Sequence, residues 1–302
     1  MLNNSEAVFK RDIDIVIPAC DRIGILMERL PSYWNQKQTR KVFIVDGSRN
    51  ANTEEVKELQ GFIKKSPVPV FYYKFPQHQL QQVCKNFGVE KSDAPYVFIG
   101  EDDVELSPNH LEILLETLER NNADMVGGRR MYIKDTETQT QALENAPRKG
   151  KIFYQVPFEA YFENPFSGET QVQYLHSNAL IKREVFDSVR YDPNYRGNAF
   201  REELDFYLGC LRMGKVMFLT SNTACFHLKS ERKMGNGSQI TRSKYEFYVW
   251  VNTIKCFWKN RDVLKKSFNI KAPMVYALVV LFARYTHGLK RRITRFLNYV
   301  TK

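Results

Sequence analysis

The chain has few of the signatures that announce a chemistry. Its five cysteines, Cys20, Cys84, Cys210, Cys225 and Cys256, are odd in number, scattered, and form no C-x-x-C pair. That argues against a zinc cluster and a disulfide framework, and points to a reducing compartment. No G-x-G-x-x-G, Walker loop, G-x-S-x-G or H-E-x-x-H is present, so the common dinucleotide, P-loop, hydrolase and zinc-protease readings fall away. Long hydrophobic runs are missing too. The most apolar stretch, Ala272 to Ala283, has 12 residues, where a membrane-spanning helix needs roughly 20. Met1 to Arg11 carries acids and amides, not a basic segment followed by an apolar one, so no secretory signal is expected. There is no internal repeat.

Acidic residues are scarce in one region only. From Ser230 to Lys302 there are 16 Lys or Arg against Glu231, Glu246 and Asp262, whereas the rest of the chain holds 29 basic and 31 acidic residues. The whole excess behind the net charge of +11 therefore lies in the last quarter. Phe, Trp, Tyr, Leu and Val are interleaved with it, and no helix-turn-helix, zinc-finger or RNA-binding motif accompanies it. An anionic membrane surface is thus the expected partner, and nucleic acid is not. Arg284 ends the apolar stretch, and Lys290, Arg291, Arg292 and Arg295 follow among Leu289, Ile293, Phe296, Leu297 and Tyr299. That pattern suits a helix lying in a membrane interface. The alternative is a C-terminal helix packed on the domain with its basic face in water.

The first half alternates strand and helix. Ile13–Pro18, Lys41–Asp46, Val70–Lys74 and Tyr96–Gly100 read as buried strands. Helices are expected over Ile25–Trp34, from Asn52 to about Lys65, over Leu80–Val89 and from Pro108 to Asn121. This alternation predicts an α/β fold with a mostly parallel sheet covered on both faces. Asp135 to Gly150 reads as a polar excursion. A strand over Val172–Ile181, a helix from Arg183, a helix from about Phe200 to Met213, and strands near Lys215–Leu219 and Thr223–His227 complete the domain. Ser230 to Gln239 looks like a loop.

Tyr96 to Gly100 delivers Glu101, Asp102 and Asp103 to one point, the carboxyl end of a strand, where ligands of open α/β sheets gather. Three adjacent carboxylates repel one another unless a cation joins them, and oxygen ligation suits Mg²⁺ or Mn²⁺. A solvated acidic turn before a helix is the plainer reading. Asp46 ends the second strand in Val45-Asp46-Gly47-Ser48, either facing a ligand or satisfying its own turn. Glu202, Glu203 and Asp205 open a helix whose first turn is held to the core, which would raise a carboxyl into general-base range. His227 closes an apolar strand, as a metal ligand or as a hydrogen-bonded core residue.

Taken together, these segments resemble family 2 glycosyltransferases of the GT-A fold. Asp14-Ile15-Val16-Ile17-Pro18-Ala19-Cys20-Asp21-Arg22 is similar to that family's first strand and loop, V-I-P-x-Y-N-R. Val45-Asp46-Gly47-Ser48 resembles its D-D-G-S, with Val45 in place of the first acid, and Lys85-Asn86-Phe87-Gly88 its R-N-x-G, with Lys for Arg. Glu101-Asp102-Asp103 matches the D-x-D motif with Glu at its first position, and Glu202-Glu203-Leu204-Asp205 falls where the family carries E-D-x-D. The likeness spans roughly residues 12 to 228.

It implies a GT-A domain over residues 1–230, and the composition beyond it marks 231–302 as a basic, amphipathic helical extension. The implied reaction is inverting transfer of a sugar from a nucleotide-sugar, a UDP-sugar first, to an acceptor hydroxyl on a saccharide or lipid-linked saccharide. Glu203 or Glu202 would be the base. Asp103, Glu101 and His227 would hold a divalent metal, Mn²⁺ or Mg²⁺. Pro18, Asp21, Arg22, Asp46, Asn86, Asp102, Lys229 and Arg232 would bind the donor. The expected location is cytoplasmic, peripheral on the inner face of the cell membrane. A nucleotidyltransferase, or a non-catalytic membrane- or nucleic-acid-binding scaffold, is the alternative.

Overall fold

A computed structural model describes residues 12–49, 53–134, 136–228 and 241–300, with side chains through 286. The first half follows the expected alternation: β1 (Ile13–Ala19), α1 (Ile23–Trp34), β2 (Thr39–Asp46), α2 (Thr53–Ile63), β3 (Val70–Lys74), α3 (Gln81–Lys91), β4 (Tyr96–Ile99). A short β5 (Val104–Leu106), α4 (His110–Arg120) and β6 (Met125–Ile133) follow. The middle holds α5 (Gln139–Glu144), the hairpin β7 (Phe153–Tyr154) and β8 (Glu159–Ala160), then β9 (Glu169–Val172) and β10 (Ala179–Lys182). The chain continues through α6 (Val185–Ser188), α7 (Glu202–Arg212), β11 (Met217–Leu228), α8 (Arg242–Lys259), α9 (Arg261–Ser267) and α10 (Pro273–Val300).

Nine strands form one sheet in the order β3-β2-β1-β4-β10-β6-β11-β5, with β9 also on β11. β10 is antiparallel to both its neighbours, and β5 and β9 are antiparallel to β11, so the other six strands run the same way. The chain lays down β1, β2 and β3 in one direction, then returns to place β4 on the other side of β1. That reversal opens a crevice beyond the carboxyl ends of β1 and β4.

The alternation of strand side chains divides the core. Ile15 and Ile17 of β1 pack with Leu26 and Leu30 of α1 and Leu111 and Leu114 of α4. Val16, pointing the other way, packs in a second cluster with Phe186 of α6 and Phe206 and Tyr207 of α7. A third cluster joins Leu204 and Leu208 of α7 to Phe257 of α8, Leu264 of α9 and Ala277 of α10. The C-terminal helices therefore pack one face on the domain, and the side chains of Lys290, Arg291, Arg292 and Arg295 lie outside those described. Polar clasps reinforce this: Lys259 Nζ lies 2.6 Å from Asp205 Oδ2, and Arg212 Nε lies 2.8 Å from Asp262 Oδ2.

Three expectations change. The strand read over Val172–Ile181 is two strands, β9 and β10, with a loop between them on different neighbours. The two strands read near Lys215–Leu219 and Thr223–His227 are one, β11, whose pairing with β6 shifts register between Leu219 and Ala224. The helix from Arg183 is the four-residue α6. Within the polar excursion, a reciprocal capping box between Thr138 and Gln141 starts α5.

Gly88 lets α3 sit against β1, since a Cβ there would meet Val16 Cγ1 at 2.3 Å. Gly88→Ala is expected to cost about 1–3 kcal/mol of stability in denaturant melts. Adding Val16→Ala should return part of that loss, and an unchanged midpoint for Gly88→Ala would contradict the packing.

Candidate active site

β1 and β4 run side by side, so the turns that follow them face each other. After β4 the chain turns at Gly100, where a Cβ would lie 2.9 Å from the Tyr33 ring. Tyr33 Oη donates to the Glu101 carbonyl at 2.8 Å and accepts from the Glu101 N–H at 3.2 Å, which fixes the turn. Asp102 accepts from the Cys20 N–H at 3.1 Å and from Arg22 Nε at 3.2 Å. The Arg22 guanidinium pairs with both Asp102 and Asp103. Burial lifts the Asp102 carboxyl to about 7, against the pull of Arg22 and with the repulsion of Asp103.

Glu101 sits differently. Burial would raise its pKa, but Arg130 at 2.8 Å, His227, and the Ser177 hydroxyl donating at 2.5 Å together hold it at about 2. β11 carries His227, whose Nε2 lies 3.5 Å from Asp103 Oδ2. Burial and Arg130 push that imidazole's pKa down, which favours the neutral form that can ligate a metal. Glu101, Asp103 and His227 each offer one ligand atom, all within 4.8 Å of one another. Two carboxylate oxygens and one imidazole nitrogen suit Mn²⁺ or Mg²⁺, so the residues present fit the ion expected there. Pro18, Arg22, Asp102, Asp103 and His227 line a cleft of about 310 Å³, and Tyr245 of α8 forms part of its wall.

A second cleft, of about 400 Å³, adjoins it, and Glu101 and Phe200 line both. At the start of α7 the two acids separate. Glu202 is 1% exposed, accepting from Lys85 Nζ at 2.7 Å and Gln81 Nε2 at 2.8 Å, with its other oxygen buried and unpartnered. Burial raises its pKa to about 7, opposed by Lys85 and assisted by Glu203. Glu203 is 29% exposed and lines the second cleft, with one oxygen 3.0 Å from the same Lys85 Nζ. Lys85 itself is fully buried. One ammonium thus holds both carboxylates, and Glu203 is the one that meets the cleft.

The family model of glycosyl transferase family 2 matches residues 14–190, more than half of the chain. The chain belongs to glycosyltransferase family 2. An uncharacterised glycosyltransferase of Haemophilus influenzae is 22% identical over 258 residues, covering 85% of this chain and 92% of that one. Among solved structures, TarS 1-349 of S. aureus in complex with UDP-GlcNAc aligns at a TM-score of 0.56 and 9% identity, over 89% of this chain and 70% of TarS. GalNAc-T7 with UDP, GalNAc and Mn²⁺ aligns at 0.60 and 14% identity, over 82% of this chain and 48% of that chain. These likenesses show the GT-A fold. The nucleotidyltransferase and scaffold alternatives give way to a glycosyltransferase.

Not every residue expected at the transferase's site reaches the clefts. Asp46 is buried, accepting from the Ser48 N–H at 2.7 Å and the Tyr72 hydroxyl at 2.6 Å, with Lys74 Nζ 4.0 Å away. It satisfies its own turn, which Gly47 permits because a Cβ there would meet the Gln79 carbonyl at 2.3 Å. Asn86 binds the Tyr191 backbone with both ends of its amide, at 2.8 and 3.1 Å. Asp21, at φ 53, takes part in the turn after β1, where its N–H donates to Ser48 Oγ at 2.7 Å. None of the three is in the wall of the first cleft. Lys229 and Arg232, like Lys233, lie outside the described residues.

Sequence reasoning missed Arg130, Phe200, Tyr245 and Arg284 as site residues, and gave Lys85 no role. A buried Glu101 demands a cation, but nothing in the sequence selects Arg130 among 45 Lys and Arg. Lys85 had a signal, since it precedes Asn86 in the matched segment. Lys85→Met would leave Glu202 buried without its cation. The expected loss is about 3–5 kcal/mol in chemical denaturation, with part of it regained in Lys85→Met/Glu202→Gln. Equal stability of Lys85→Met and wild type would contradict the pairing.

Proposed function

We propose that this glycosyltransferase moves a sugar, with inversion, from a UDP-sugar to a hydroxyl of a saccharide or lipid-linked saccharide. The observation that carries the proposal is the junction of the two clefts at Glu101. On one side stand the acids, Arg22 and His227, and on the other stands the exposed carboxylate of Glu203. Donor diphosphate and acceptor hydroxyl would then meet between a cation-binding group and a base.

Glu101, Asp103 and His227 would hold the divalent ion, Mn²⁺ or Mg²⁺, which when bound stabilises charge developing on the leaving diphosphate. Arg22 pairs with the two aspartates and, in the wall of the first cleft, would face the donor's phosphates. Pro18 and Asp102 wall the donor cleft. Glu203 takes the proton of the acceptor hydroxyl as that oxygen bonds to the anomeric carbon. The bond from that carbon to the diphosphate oxygen breaks, and the nucleoside diphosphate leaves with the bonding pair. Lys85 positions Glu203, and Glu202, turned inward, completes the charge balance around Lys85. Phe200 lines both clefts at their junction.

The division at residue 230 is retained as a catalytic domain with a helical extension, although α8 contributes Tyr245 and α10 contributes Arg284 to the cleft walls. The proposed location is cytoplasmic and peripheral on the membrane; the five free cysteines support the reducing compartment alone. Among the described residues no helix is long and apolar enough to cross a membrane.

Glu203→Gln is expected to lower turnover about 10²–10⁴-fold while calorimetric affinity for the UDP-sugar stays near wild type. Wild-type turnover in that variant would remove Glu203 from the base role, and lost turnover in Glu202→Gln with folding intact would transfer it.

A further inference from the structure

α8 has one face in the core and one in water. Val249, Cys256 and Phe257 are buried, whereas Phe247, Val251, Ile254 and Trp258, at spacings of four, three and four, are exposed. Phe247 is 62% and Trp258 58% exposed. α10 repeats the pattern: Ala277, Val280 and Leu281 are buried, and Val275, Leu278, Val279 and Phe282 are exposed, Val275 by 63% and Phe282 by 62%. The two helices are neighbours. Trp250 Nε1 donates to Tyr285 Oη at 3.0 Å, and the Trp250 ring packs edge-on to Phe282 with centroids 6.0 Å apart. Eight exposed apolar side chains on two adjoining helices are the kind of grouping that marks an interaction surface.

Charge selects what covers it. Residues 241–286 carry nine Lys or Arg against Glu246 and Asp262; Lys255, Lys259 and Arg284 pair with Asp192, Asp205 and Glu159 of the domain, which leaves six others against those two acids. Arg261 stacks over the exposed Trp258 ring at 4.7 Å, and Lys265, Lys266 and Lys271 are exposed on α9 and the turn into α10. A second copy docking here about a two-fold axis would bring like charges together. Nucleic acid would use the cations and leave the apolar stripes uncovered. An anionic bilayer takes both, apolar side chains at the acyl boundary and cations at the phosphates, with Trp and Tyr at the level where they are favoured.

We propose that the paired outward faces of α8 and α10 dock the transferase on an anionic lipid surface. The inference deepens the proposed function and rests on its membrane-borne acceptor, because the docking helix is also part of the acceptor side. Arg284 of α10 lines the second cleft, lies 3.2 Å from Glu159 and stacks over Phe200 at 5.0 Å.

The test is flotation of the full chain with vesicles of phosphatidylcholine alone and mixed with phosphatidylglycerol. Binding is expected only to the mixed vesicles, weakening as salt is raised. The triple variant Phe247→Ser/Trp258→Ser/Phe282→Ser should bind at least about tenfold more weakly. No binding by the intact chain, or undiminished binding by the variant, would overturn the proposal. So would a dimer in light scattering that the variant dissolves, which would assign the face to a second copy. UDP release from the donor without vesicles reads the enzymatic reading separately. The variant should retain it, and its collapse there would make the face part of the fold and not a docking surface.

Discussion

A carboxylate taken out of water must be met by a cation, and the carboxyl edge of this sheet is organised around that requirement. Glu101 is held by Arg130, Asp102 and Asp103 by Arg22, and Glu202 and Glu203 by Lys85. An unpaired charge in such surroundings costs several kcal/mol, more than most single contacts in the fold supply. The pairing therefore ties the starts of α1 and α7 and the middles of α3 and β6 to this edge. It also separates the acids by role. Glu101 is held ionised, Asp102 is raised by burial, and Glu203 reaches a cleft that Glu202 does not.

Arg22 has a particular place in this scheme. It carries the only positive charge that spans both aspartates among the described residues, and it stands beside the group formed by Glu101, Asp103 and His227. The site thus has a cation of its own on one flank and, on the other, three residues that could hold a divalent one. Under the proposed function that combination suits a diphosphate better than a neutral sugar, so the donor would take this cleft and the acceptor its neighbour.

How much of this could be read from the sequence depended on whether a residue's partner lay close in the chain or far away. β1 to β4 are continuous apolar runs ending in charge or a turn, and their limits were legible to within a residue or two. So were Glu101, Asp103 and His227 as candidates, because each ends or closely follows an apolar strand. β6 was not legible. It is central and buried, yet it reads Met-Val-Gly-Gly-Arg-Arg-Met-Tyr-Ile. Its glycines admit His176 and His110, and Arg130 finds its partners far along the chain, Glu101 29 residues away and Ser177 47 residues away. Asp46 and Asn86 were legible as motif positions, but the bonds they make depend on Tyr72 and Tyr191, which no local pattern connects to them. The tail was read as one basic amphipathic segment. Its partner stripe on α8 emerges only when the packing shows which face of that helix is covered.

If the proposed function holds, the acids beyond β4, with His227, bind a metal-bridged sugar nucleotide. The most direct measurement is release of nucleotide from UDP-, GDP- and dTDP-sugars by the intact chain, with Mn²⁺ or Mg²⁺ and with chelator, in wild type and Asp103→Ala. Release from a UDP-sugar that requires the metal and is lost in Asp103→Ala is the predicted result. Release that persists in chelator and in Asp103→Ala, or no release together with no thermal shift by any of these nucleotides, would contradict it.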